Sequence, residues 1–326
     1  MRRRDVIAML GGAAVAWPRN VHAQAAPTLR LGEPIIVPRS SPSQAAFEQR
    51  LHELGYIEGQ NFTLVGTDLD IQGHLELIGA ATQELVRRKV DILMAFGPEA
   101  FLKAAHAATQ TVPIVMVAIG YDPIALGYVT GLARPTGNIT GIVFQQIEVT
   151  VKRLQLMRDA FPDMRSATVF WDRDGADSWR AAENAAAGLG LRLEGVEFRD
   201  QPYDYERGLG SVSEEARRIL FVINSTMFFV DRKRLADFAL SHGMASVFWE
   251  RELVDAGGLM SYGASLTGLY RRAADYVDRI ARGAKPSDLP IEQPTRFELV
   301  INLNTAKTLG ITIPPMLLVR ADAVIE

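Results

Sequence analysis

The residues of this chain best suited to chemistry stand directly after short apolar runs. Ser40 and Ser41 follow the run Leu29 to Val37, and Gly97-Pro98-Glu99 stops Asp91 to Phe96. Tyr121 and Asp122 come after Pro113 to Ala118, and Trp171-Asp172-Arg173 ends Ala167 to Trp171. Asn224-Ser225-Thr226 follows Ile219 to Ile223, and Glu250 follows Ala245 to Trp249. Their chemistry is recognition by charge, hydrogen bonds and flat surfaces. The Asp122 carboxylate offers a counter-charge for an ammonium group, a charge-assisted bond strong enough to select it. N–H groups left free after Gly97-Pro98 can hold a carboxylate, with Glu99 competing for the same positive potential. Trp171, Trp249, Tyr121 and Tyr262 offer apolar walls for an aromatic or branched molecule, and the Arg173 guanidinium would favour an organic anion. Gln145 and Tyr262 fall where the chain is expected to pass between two halves.

Each residue also has a plainer reading, and at this stage both stay open. Asp before Pro starts a helix, its carboxylate capping free N–H groups with Pro at N1. Asn224-Ser225-Thr226 can cap the next helix, and Ser40 and Ser41 can simply end a strand, since Ser is a common turn residue. Trp171 can pack between strand and helix, and Arg173 can be a solvated surface residue. Catalysis finds little support. The histidines at 22, 52, 74, 106 and 242 show no metal-type spacing, and there is no G-x-S-x-G, H-E-x-x-H or phosphate-loop pattern. No catalytic residue, metal or cofactor is expected.

Short apolar strands positioning these residues alternate with longer helical patterns. Strands are expected at 29–37, 62–66, 91–96, 113–118 and 139–144, then again at 167–171, 192–198, 219–223, 245–249 and 297–302. Helices are expected at 43–54, 72–89, 99–109, 148–161, 178–189, 205–216, 229–241, 265–282 and 304–309. Such alternation makes parallel sheets with right-handed crossovers. In open sheets of this kind ligands bind outside the carboxyl ends of the strands, where the candidate residues lie. Two successive sets in 326 residues mean two doubly wound, Rossmann-like lobes. The proline-punctuated tail through Pro286, Pro290 and Pro294 suits a chain that crosses between lobes again.

Arg2, Arg3 and Arg4, the apolar stretch Val6 to Trp17 and the small residues around Val21-His22-Ala23 read as a cleaved signal peptide over residues 1–23. Arg3-Arg4 also resembles a twin-arginine export signal. About 12 apolar residues would span roughly 18 Å as a helix, short of a ~30 Å hydrocarbon core. The absence of cysteine excludes a lipid-anchored form, disulfides and thiolate chemistry. A net charge of −3 provides no field for nucleic acid or an anionic membrane. The expected protein is periplasmic and monomeric.

Longer blocks resemble one family, the ABC transporter substrate-binding proteins of the tryptophan- and phenylalanine-binding type. They are Leu54-Gly55-Tyr56-Ile57-Glu58-Gly59-Gln60-Asn61, Pro135-Thr136-Gly137-Asn138-Ile139-Thr140-Gly141 and Gly257-Gly258-Leu259-Met260-Ser261-Tyr262-Gly263. Gly283-Ala284-Lys285-Pro286, Asp288-Leu289-Pro290 and Phe297-Glu298-Leu299-Val300-Ile301-Asn302 complete the match. The resemblance covers essentially the whole chain. It implies a type I periplasmic-binding fold with three interlobe crossings, one lobe of residues 28–144 plus 263–290 and one of 145–262 plus 291–326. It also implies capture of a small amino acid or aromatic organic acid by hinge closure, with an inner-membrane ABC permease as partner. Two departures are Glu33-Pro34, which interrupts an otherwise apolar first strand, and Phe248-Trp249, where a smaller aromatic pattern is expected. A ligand-sensing module for a membrane receptor would share the fold; a neighbouring kinase gene in place of a permease gene would mark it.

Overall fold

The computed structural model describes residues 28–34, 39–69, 74–144 and 146–326. Residues 1–27, which hold the expected signal peptide, and Gln145 lie outside the described residues. The chain opens with β1 (Leu29–Gly32), α1 (Pro42–Glu53), β2 (Phe62–Val65), α2 (Ile78–Arg87), β3 (Ile92–Gly97), α3 (Glu99–Ala108), β4 (Ile114–Ile119) and β5 (Ile139–Phe144). It continues with α4 (Ile147–Ala160), β6 (Ser166–Asp172), α5 (Ala176–Ala186), β7 (Arg192–Phe198), α6 (Tyr205–Gly210), β8 (Ile219–Val222), α7 (Thr226–Val230), α8 (Arg232–Ser241), β9 (Ala245–Phe248) and α9 (Arg251–Asp255). It ends with β10 (Met260–Ala264), α10 (Leu266–Ala281), β11 (Phe297–Asn302), α11 (Leu303–Thr308), α12 (Pro315–Arg320) and β12 (Ala323–Ile325).

Two sheets result. The first has the order β2-β1-β3-β4-β5 and is wholly parallel. The second runs β12-β11-β10-β9-β8-β6-β7 and repeats the same doubly wound order in β7-β6-β8-β9-β10 before β11 joins antiparallel. β3 and β4 are buried on both faces, as unbroken Ile, Val, Leu and Met runs require of central parallel strands. β7, at the sheet edge, is mostly exposed or half-buried.

The chain leaves the first sheet after β5, returns after β10 and crosses a third time before β11. α10 belongs with the first sheet although β10 belongs to the second. Its apolar stripe (Leu266, Leu269, Tyr270, Ala273, Val277, Ile280) recurs at helical spacing and faces the first core. Arg50 on α1 donates to Asp275 at 2.9 Å, and Tyr56 donates to Asp278 at 3.1 Å, tying the returning helix to the first. The last crossing runs beside β5: Val143 N–H donates to Glu292 O at 2.8 Å, and Glu292 N–H donates to Gly141 O at 3.0 Å.

Four details differ from the sequence expectation. β1 ends at Gly32, because Pro34 cannot donate to a ladder. The helix expected over 205–216 stops at Gly210, since Gly208 and Gly210 weaken it and Phe198 fills the space where a Gly208 side chain would stand. The helix expected over 229–241 is two, α7 and α8, meeting at Asp231. Met260–Ala264 forms an unexpected strand, paired Met260 to Ile301 through Ala264 to Phe297, which carries Gly263 and Ala264 into the second sheet.

Candidate functional site

Each sheet reverses its winding beside its first strand, and loops leaving the carboxyl ends of such strands make a ligand crevice. Here the two crevices face each other across one cleft of about 560 Å³, a size suited to a small molecule. From the first sheet come Glu33-Pro34 after β1, Gly97-Pro98-Glu99 after β3, Gly120-Tyr121 after β4 and Gln146 after β5. From the second come Arg173-Asp174 after β6, Asn224-Ser225-Thr226 after β8 and Trp249-Glu250 after β9. Phe96, Phe229, Leu266 and Tyr270 add apolar surface. Phe229 sits on α7 yet packs against the cores of both sheets, so one ring bridges the lobes.

Several polar groups in this cleft have no hydrogen-bond partner among the described residues. The Gln146 side chain is 2% exposed, and neither its amide nitrogen nor its oxygen makes a hydrogen bond. Asn224 Oδ1 and the Tyr121 hydroxyl are likewise buried and unpaired. A buried polar atom without a partner costs about 1–3 kcal/mol, so a site with several is built to be completed by something else. Glu33 is buried and among the described residues accepts one hydrogen bond, from Gln44 Nε2 at 2.9 Å. Burial pushes its pKa up to about 8, the Gln44 bond opposing. Glu250 is also raised well above the carboxylate range by burial. Arg153 on α4 is wholly buried behind it, and desolvation pulls its pKa down to about 9 while Glu250 holds it up. Arg153 donates to Val222 O at 3.1 Å and lies 4.6 Å from the centre of the Phe221 ring.

The support beneath the second edge is specific. Asp172 Oδ1 accepts from Asp174 N at 3.1 Å and Gly175 N at 3.3 Å, and its Oδ2 accepts from the Tyr203 hydroxyl at 2.9 Å and from Ser225 Oγ. The Ser225 hydroxyl in turn accepts from Met227 N at 3.1 Å, capping α7. One carboxylate therefore fixes the loops after both β6 and β8.

Comparison with known proteins settles the family. Residues 41–325 match the family model described as ABC transporter substrate binding protein. The chain belongs to that family. It is a family of solute-binding proteins, not of enzymes. The Tyrosine-binding protein of Clostridioides difficile is 22% identical over 283 residues, 83% of this chain and 77% of that one. Among solved structures, a conserved domain protein of Vibrio cholerae superposes with a TM-score of 0.78 at 21% identity, covering 92% of this chain and 99% of that one. An ABC domain from Streptococcus pneumoniae in complex with L-Trp gives 0.76 at 21% identity, over 92% of this chain and 100% of that one. The fold is the type I periplasmic-binding fold.

Within this substrate-binding protein the residues singled out by sequence separate into two groups. Gly97, Pro98, Tyr121, Arg173, Asn224, Thr226, Trp249 and Glu250 line the cleft. Five do not. Ser40 is exposed, and Ser41 precedes α1 with its hydroxyl buried and unpaired among the described residues; Ser43, two residues on, reaches the cleft. Asp122 Oδ1 accepts from Ile124 N at 2.8 Å and Ala125 N at 3.2 Å, so its carboxylate caps a turn. Trp171 stacks on Trp179 at 5.9 Å, between strand and helix. Tyr262 stacks on Phe297 at 6.0 Å, between the two hinge-side strands β10 and β11. Sequence reasoning did not single out Glu33, Gln146, Phe229 or Tyr270 as site residues. Glu33 carried a signal, since it broke the apolar run of β1.

Proposed function

We propose that this protein is the periplasmic solute-binding component of an ABC importer. It captures a small amino acid or aromatic organic acid between two lobes, one built on each sheet. The observation that carries this reading is the set of buried, unpaired polar groups, Gln146 on one side and Asn224 on the other, facing one cleft with aromatic walls. Contacts from both sides are what a ligand needs to favour a closed state, because it shifts an equilibrium only by its differential affinity for the two states. Closure then presents the monomer to an inner-membrane permease. The relatives support the ligand class: one is called tyrosine-binding, and one holds L-Trp. Titrating intrinsic tryptophan fluorescence with amino acids and small aromatic acids tests the proposal. A saturable response is expected, and silence towards the whole panel would overturn it.

A further inference from the structure

We infer that Asp172 and Tyr203, neither of which lines the cleft, are positioning residues that set its affinity by holding α7 and the loop after β6 in place. The inference rests on the capture reading and deepens it. α7 is five residues long, far too short to be stable alone. It nevertheless carries Thr226 and Phe229 into the cleft, and Phe229 reaches the cores of both sheets. Its support therefore has to come from neighbouring elements.

Asp172 is 3% exposed. Its Oδ1 serves the turn that it caps, accepting from Asp174 N and Gly175 N. A capping aspartate needs no more than that. Its Oδ2 instead accepts hydroxyls from two other elements, Tyr203 at 2.9 Å and Ser225. Ser225 passes the constraint on: its Oγ accepts from Met227 N at 3.1 Å and Phe228 N at 3.4 Å, fixing the first turn of α7. The far end of α7 is held by the same segment after β7. Tyr205 donates to Asp231 Oδ2 at 2.9 Å, and Arg234 donates to Asp231 at 2.7 Å and to the Tyr203 carbonyl. Between these two ends the Tyr203 and Tyr205 rings pack on Phe228, the buried residue of α7, with ring centres 5.3 and 6.4 Å away. The segment is a strap across the back of α7, fastened at one end through Asp172. Arg173, Asp174, Asn224 and Thr226 face the cleft from the two loops that this carboxylate joins. Groups already ordered lose less freedom on binding, so loosening the strap costs affinity without removing a contact.

Two variants test this. Asp172→Asn keeps the size but not the acceptors, because an amide nitrogen donates and cannot receive hydroxyl or N–H protons. Tyr203→Phe keeps the ring and removes one hydroxyl. The probes are the twenty amino acids, benzoate and 4-hydroxybenzoate, titrated by calorimetry, and the one that binds the parent tightest is carried to the variants. Asp172→Asn is expected to weaken it by roughly ten- to thirtyfold and Tyr203→Phe by about three- to tenfold, as lost hydrogen bonds to a charged group imply. Leu317→Ala, in the core of the same lobe on α12, should lower the melting temperature and leave affinity unchanged. Hydrogen exchange of the protein without any probe gives a readout that general destabilisation would not. In both strap variants, peptides covering 173–176 and 225–231 should exchange faster, while those covering 249–255 after β9 should not. Unchanged affinity in either strap variant, exchange that rises evenly through the lobe, or a Leu317→Ala loss as large as that of Asp172→Asn overturns the inference and leaves the capture reading intact. A parent that binds none of the probes overturns both.

Discussion

Asn224, at the end of β8, reaches across the cleft to Gly120, at the end of β4: a β-carbon on Gly120 would lie 3.2 Å from Asn224 Nδ2. The two lobes meet here, at a residue whose φ of +80° suits glycine. Gly120→Ala therefore acts twice. It strains the loop by about 1 kcal/mol, and it crowds Asn224 in the closed form. We expect ligand affinity to fall by roughly three- to tenfold, more than the unfolding free energy alone explains. In an Asn224→Ala background, which loses the Asn224 contact but also the crowded side chain, Gly120→Ala should cost less affinity than it does in the parent. Fluorescence titration and urea unfolding of the single and double variants separate the two effects, and an equal Gly120→Ala cost in both backgrounds would show that crowding is absent.

Stability should depend on pH through Glu33. Its pKa is about 8 in the folded chain against 4.5 when solvated. Between those values the folded state binds more protons than the unfolded state, so stability falls as pH rises from about 4.5 to 8 and then levels. The favourable contribution is present below 4.5 and lost above 8. Replacing Glu33 by Gln removes its ionisation, so the variant should lose Glu33's share of the slope, keep that of Glu250, and exceed the parent in urea midpoint at pH 8.5. A variant with the parent's full slope would move the effect to another group.

How much of this was legible in the sequence depends on which forces set each feature. The central strands β3, β4 and β5 stood out because strands buried on both faces must be apolar throughout. β10 escaped because Ser261, Tyr262 and Gly263 carry no such pattern; the strand exists through its antiparallel pairing with β11, Tyr262 opposite Leu299 and Gly263 opposite Glu298. Gln146 lines the cleft, and in the sequence nothing separates it from its neighbour Gln145, the expected site residue, without knowing which way the crossing turns. Asp122 has the same spelling whether it caps a turn or holds a ligand, and only its two N–H donors decide. Arg153 falls in the helix expected over 148–161 with nothing in its type to mark burial, yet α4 turns it inward against Phe221. Glu33 was visible as an interruption, but the cleft it opens on comes from tertiary structure.

Trp249 lines the cleft, whereas Trp171 and Trp179 stack on each other within the second lobe. A ligand-induced fluorescence change should therefore come mainly from Trp249. In a Trp249→Phe variant the amplitude should drop by more than half, while Trp171→Phe should alter the baseline and leave the titration amplitude largely intact. The opposite assignment would place the ligand elsewhere.

Arg153 and Glu250 form the last test, because each is buried in the other's field without a direct ion pair. Two guanidinium nitrogens, Nε and Nη1, make no hydrogen bond among the described residues. Burial costs both groups their solvation, and attraction in a low-dielectric interior offsets only part of that. Removing Arg153 alone takes from Glu250 a cation that favours its charged form, and the carboxyl, already raised well above its ordinary range by burial, is held neutral. Arg153→Met should destabilise by about 1–3 kcal/mol, less than a locked buried pair because Glu250 can neutralise itself. Glu250→Gln alone leaves an uncompensated buried guanidinium and should cost at least as much. The double variant Arg153→Met with Glu250→Gln removes both charges together. It should be more stable than the sum of the two single losses allows, with a coupling of about 1 kcal/mol or more in a double-mutant cycle read by urea unfolding. Strict additivity would mean that the two charges do not sense each other in the folded protein.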